Sequence, residues 1–104
     1  MATWKKPAKC QIGSLTYKIK YVEAGKSKYL DAKEAGAIDQ HTTTIYIDKN
    51  APRQLQLLTL LHEFMHGVGF VLFPNRGQNF REHLATAGSE LLLQALQSSG
   101  LLQN

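Results

Sequence analysis

Between Pro52 and Phe73 runs a leucine-rich stretch with no proline after its start, and inside it lies His62-Glu63-Phe64-Met65-His66. Good helix formers dominate from Gln54 to Leu61, and Leu57, Leu58, Leu61, Phe64, Met65 and Val68 recur at three- and four-residue spacings. That is the pattern of a helix buried over a wide arc. Asn50 or Asp48 is placed to cap it, with Pro52 at an early position where a missing N–H costs nothing. On a helix, two imidazoles four residues apart sit about 40° apart around the axis and roughly 6 Å apart along it. They can grip one metal ion. His62 and His66 share a stripe with Leu55 and Thr59, so they are expected to face inward or line a cleft.

A single histidine in an apolar helix is more often hydrogen-bonded than a ligand. Two at this spacing with a glutamate after the first form the H-E-x-x-H pattern, in which the histidines hold zinc and the glutamate takes a proton from the activated water. The expected division is His62 and His66 as ligands and Glu63 as general base.

Hydrolytic zinc sites usually have three protein ligands and one open position. The extended pattern H-E-x-x-H-x-x-G-x-x-H is excluded: Gly69 is in place, but position 72 is Leu72. The remaining source is the following helix, expected from about Phe80 to Gln97 or Ser98 with Gly100 as its stop. Glu82, His83 and Glu90 are its candidates. An apolar arc of Leu84, Ala87, Leu91, Leu92, Ala95 and Leu96 leaves Glu82 and His83 on opposite edges. The stripe through Glu82 continues with Thr86, Ser89 and Leu93, which slightly favours Glu82. Ala85, Ala87 and Gly88 are small enough for close approach of the two helices.

Ahead of the helices, Leu15 to Val22 alternates, with Leu15, Tyr17, Ile19 and Tyr21 on one face, as a half-buried strand does. Ala24 to Gly36 reads as loop, with one helical turn possible around Asp31 to Ala35. The β-branched run Thr42 to Ile47 reads as a second strand, and an additional strand or turn fits between Thr3 and Gln11 or in the loop. Pro74 to Asn79 is rich in turn formers and separates the helices. The expected fold is α+β, a small antiparallel sheet packed on two main helices, the first carrying the motif.

The chain has 104 residues, 43% of them hydrophobic, which suits one domain over residues 1–104 with a single core. No run approaches the roughly 18 to 20 consecutive apolar residues of a membrane span, and Met1 to Pro7 lacks a signal peptide's hydrophobic stretch. A cytoplasmic location without membrane attachment is expected. Cys10 is the only cysteine, so an internal disulfide is excluded, and it reads as a small packing residue. The net charge of +4 is uneven: residues 1–33 hold eight lysines against Glu23 and Asp31, while residues 34–104 hold four basic and six acidic residues. The lysines are spread without interleaved arginines and aromatics, so a solvated face is expected, with an acidic partner or nucleic acid as the alternative.

The N-terminal strand, Gly36 with Ile38, Thr44-Ile45-Tyr46-Ile47-Asp48, the motif within Leu57 to Gly67, and Arg81-Glu82-His83-Leu84 leading into Leu91 to Leu96 together resemble the ImmA/IrrE-type minimal zincins, especially small phage or prophage versions. The resemblance covers roughly residues 12 to 98. It implies a zincin core, zinc as cofactor, and a ligand set of His62, His66 and Glu82, with Glu63 as base. It also implies hydrolysis of peptide bonds in a specific protein partner, within the host cytoplasm if the chain is phage-encoded. The link from His66 to Glu82 is short for that family, and His83 follows directly, as in SprT-like proteins whose third ligand is histidine. In zincins extended substrate pairs with an edge strand, for which Thr43 to Ile47 is the candidate. His83, Tyr46 and His41 are available as oxyanion donors. The alternatives are a catalytically silent zincin-scaffold module that binds a protein, and a SprT-like DNA-associated protease.

Overall fold

The computed structural model describes residues 6–99. Strands β1 (Lys9–Ile12), β2 (Leu15–Val22), β3 (Gly36–Asp39) and β4 (Thr44–Asp48) precede helices α1 (Arg53–Leu72) and α2 (Gln78–Ser98). The class is α+β. The four strands form one sheet in the order β1-β2-β4-β3.

The sheet is mixed, which corrects the antiparallel expectation. β1 with β2 and β3 with β4 are antiparallel, but β2 and β4 run parallel, with Ile19 opposite Ile45 and Tyr21 opposite Ile47. The cause is β3, too short and unpatterned to stand out in the sequence. After β2 the chain enters β3, runs back, and turns into β4, which inserts between the two. Two successive reversals leave β2 and β4 pointing the same way without a helical crossover. At the β3–β4 turn the Asp39 carboxylate accepts hydrogen bonds from the His41 and Thr42 N–H groups (2.9 and 3.3 Å), and Thr43 takes a left-handed φ of 48°. The position of β4 has a second consequence. Thr43 to Ile47 is not at an edge, so the edge strand on that side of the sheet is β3.

Ile12, Tyr17, Ile19, Ile45 and Ile47 form the buried core, and Leu60, Phe64 and Val68 of α1 pack onto it. Their alternation along the strands and their i, i+4, i+8 spacing on the helix make one apolar layer between sheet and helix. The expected caps of α1 are not used. Pro52 occupies the N-cap without a side-chain bond, while the Asp48 carboxylate accepts from the Asn50 N–H (3.1 Å). Buried Gln56 ties down the lead-in instead, its amide donating to the carbonyls of Asp48, Lys49 and Ala51. By length and mean hydropathy (1.3) α1 could cross a membrane, but it also buries Gln56, Thr59, Glu63 and His66 within the fold.

α2 does not bury the leucine arc expected of it. Its buried residues are Ala85, Ser89 and Leu93, whereas Leu91 is 67% exposed and Leu92 36%. Residue size explains the choice. Ala85, Gly88 and Ser89 allow close approach to α1, and a Cβ built on Gly88 would lie 3.0 Å from the end of Met65. Ala87, the third small residue expected there, is exposed. α2 ends at Ser98 with Ser99 as its C-cap, and the expected stop at Gly100 lies outside the described residues, as do Met1 to Lys5. The segment Asp31 to Ala35 is a turn rather than a helical one, closed by Glu34 N–H to the Asp31 carbonyl (3.0 Å).

Gly36 sets how near β3 lies to α1. A Cβ there would fall 2.3 Å from Thr59 Cγ2 and 3.0 Å from the Tyr46 carbonyl oxygen, with Glu63 Cγ at 3.6 Å. Gly36→Ala is therefore expected to destabilise the fold by about 1–3 kcal/mol, the range for overpacking a tight contact. A urea denaturation midpoint equal to that of the parent would contradict this close packing.

Candidate metal centre

His62, Glu63 and His66 lie on the middle turns of α1, where the helix passes beneath the β3 edge of the sheet. The seam of Ala85, Ser89 and Leu93 turns the first part of α2 toward the same place and delivers Glu82 one turn before Ala85. His62 Nε2 lies 3.2 Å from Glu82 Oε1, and His66 Nε2 lies 2.8 Å from Glu82 Oε2. The two imidazoles meet edge to face, their centroids 5.0 Å apart. One donor atom from each of the three residues falls within 4.8 Å of the other two, an arrangement that could hold a metal ion.

Among the described residues, neither His83 nor Glu90 belongs to this cluster. His83 follows Glu82 on α2 and is exposed. Glu90 lies farther along α2, beside Leu93 and Gln94 at a separate depression. The helix seam, not the leucine arc, separates Glu82 from its neighbours.

The three residues border a cleft of about 380 Å³ whose walls also include Glu63, Gly36, Ile38, Phe70 and Gln78. Glu63 is buried, and its carboxyl is pushed up to about 7 by that burial, with repulsion from the Glu82 and Glu34 carboxylates adding to it. Burial also lowers the pKa of His66, the Glu82 carboxylate opposing the shift, so the neutral imidazole that can ligate a metal is favoured. His41, Tyr46 and His83, the expected oxyanion donors, do not line the cleft. Tyr46 is on the opposite face of the sheet, His41 is in the exposed β3–β4 turn, and His83 is exposed on α2. Phe70 and Gln78 line the cleft unanticipated. Their signal was available: Phe70 is four residues beyond His66, and Gln78 four before Glu82. Cys10 is far from this chemistry in the strand β1, where burial pushes its thiol up and away from a reactive thiolate.

In the metal-free protein Glu63 gives a pH dependence of stability. Its folded pKa exceeds the ordinary carboxylate value, so between about pH 4.5 and 7 the folded chain holds a proton that the unfolded chain has lost. Stability then falls as pH rises through that window, by on the order of 3 kcal/mol from this group alone. Denaturation of chelated protein across this range is expected to show the decline, and Glu63→Gln to remove it; an equal slope in both would exclude Glu63 as its source.

No family model, curated protein or solved structure matches this chain.

Proposed function

We propose that the chain is a zinc-dependent metallopeptidase built on a minimal zincin-like core, hydrolysing peptide bonds in a specific protein partner. The observation that carries this reading is the convergence of His62, His66 and Glu82 on one point beside the buried Glu63 carboxyl. Two nitrogens and a carboxylate oxygen are donors that zinc takes readily, and tetrahedral coordination at about 2.0–2.2 Å separates donors by roughly 3.3–3.6 Å. Each imidazole nitrogen meets a different Glu82 oxygen, at 3.2 and 2.8 Å, and one donor atom from each residue lies within 4.8 Å of the others, so side-chain adjustment would bring both nitrogens and one carboxylate oxygen to that spacing. Zinc, when bound, supplies Lewis acidity that polarises a carbonyl and brings water's pKa toward about 7.

The chain's own residues supply the rest. Glu63 takes the proton from the attacking water at its carboxylate oxygen and passes it to the leaving amine. Its burial beside the three candidate ligands fits a group that must both accept and return a proton shielded from bulk water. β3 pairs only with β4 among the described residues, and its other edge borders the cleft. An extended substrate segment adds to that edge, its backbone meeting the outward N–H and C=O groups of the alternate residues Gly36 and Ile38. Phe70 and Ile38 then form the apolar walls against its side chains.

Cleavage of a peptide library tests the reading. Activity is expected to disappear on chelation and return with one equivalent of zinc. Glu82→Ala is expected to behave like the chelated protein, and His83→Ala like the parent. Cleavage that survives chelation would overturn the zinc mechanism, and loss of zinc in His83→Ala with retention in Glu82→Ala would reassign the third ligand.

A further inference from the structure

The face of the sheet turned away from α1 is divided in two. Over β4 it is covered: Tyr29, from the loop between β2 and β3, lies flat on Tyr46 with ring centroids 4.6 Å apart and planes within 5°. Tyr46 is thereby buried, while Tyr29 stays 48% exposed; the exposed Lys28 side chain lies over the ring face that Tyr46 leaves open, Nζ 5.0 Å from its centre, and a stacking base would displace it. Over β1 and β2 the face is open and carries Lys9, Lys18 and Lys20, all exposed. Strand register makes the two halves continuous. Lys9 stands opposite Lys18, and Lys20 opposite Tyr46.

This arrangement works against the fold. Like charges directly opposite in an antiparallel pair destabilise it, and among the described residues Lys9, Lys18 and Lys20 have no acidic partner. Lys26 pairs with Glu23 instead, at 3.4 Å, and the Asp39 carboxylate on β3 is engaged by the β3–β4 turn. A shallow depression of about 260 Å³ lies beside Lys9, Gln11 and Thr16. Unpaired lysines on rigid strands, two residues apart along β2 and adjacent across to β1, suit a chain of negative charges. The neighbouring tyrosine platform distinguishes among polyanions. An acidic protein surface has no use for a flat, half-exposed aromatic ring, whereas an unpaired base stacks on one.

We propose that this face binds single-stranded nucleic acid, with phosphates along Lys9, Lys18 and Lys20 and a base stacked at Tyr29. It lies on the side of the sheet opposite the metal cluster and does not depend on the chemistry there. A duplex fits less well, because its bases are already stacked on one another.

Fluorescence anisotropy with a labelled oligothymidylate of about twelve nucleotides is the test. Binding is expected at about 50 mM salt, weakening with a log–log slope of about −2, or about −0.7 for each of three phosphate contacts. Lys18→Gln with Lys20→Gln is expected to weaken binding about tenfold or more and flatten that slope to about −0.7. Tyr29→Leu is expected to weaken binding at least about fivefold with the slope unchanged. Arg76→Gln, in the turn between the two helices, serves as the control, and circular dichroism establishes that each variant is folded. Absence of binding at low salt, or full affinity in folded Tyr29→Leu, would overturn the proposal. Displacement of the strand by polyglutamate as effectively as by unlabelled oligothymidylate would also overturn it, assigning the face to acidic proteins.

Discussion

Glu63→Gln is expected to retain one equivalent of zinc and to lose peptide cleavage by a factor of about 10² to 10⁴, the range attributed to a positioned general base. The substitution preserves size and leaves all three proposed ligands untouched, so metal content and activity separate. Glutamine still hydrogen-bonds but cannot accept the proton. The loss should fall on kcat more than on KM, because Glu63 acts on the water and not on the substrate's binding groups. Its repulsion by Glu82 and Glu34 also disappears, so the folded variant should be at least as stable as the parent near neutral pH. Unchanged cleavage by a zinc-loaded, folded Glu63→Gln protein would remove Glu63 from the mechanism.

His66→Ala is expected to have the larger effect on metal binding. His66 is the more buried of the two histidines, its side chain 9% exposed against 25% for His62, and it makes the shorter contact with Glu82. Zinc at a hundredfold excess over its dissociation constant stabilises the folded state by about 2.7 kcal/mol, which raises the Tm of a domain near this size by roughly 10–20 °C. The parent protein is expected to show that shift. In His66→Ala the shift should fall to near zero at the same zinc concentration, with cleavage lost in parallel. A variant that keeps the full shift would place the metal elsewhere.

The parts of the fold legible in the sequence are those governed by local periodicity. β2 is expected and found over Leu15–Val22 because alternation sets both its extent and its buried Tyr17 and Ile19. α1 follows from its leucine spacing and ends within a residue of the expected limits. Pairing is another matter. β3 has four residues, all partly buried, and so no alternation of polarity to mark it. Without it, the parallel alignment of β2 and β4 and the identity of the edge strand beside the cleft could not be read from the chain.

The candidate site divides along the same line. His62, Glu63 and His66 are a local pattern on one helix. Glu82 and His83, adjacent on a second helix, differ only in which way α2 is rotated against α1. That rotation is set by Ala85, Gly88 and Ser89, whose small size is easily overlooked beside the larger leucines. The basic sheet face was obscured similarly. Tyr29 and Tyr46 come from a loop and a strand far apart in sequence, and only folding sets them beside Lys18 and Lys20.

The central claim is that His62, His66 and Glu82 hold zinc, and elemental analysis of protein purified without a metal-affinity tag tests it most directly. One zinc per chain is expected, either as purified or after zinc is added to chelated protein and the excess dialysed away. A folded protein that remains substoichiometric in zinc after that reconstitution would contradict the claim.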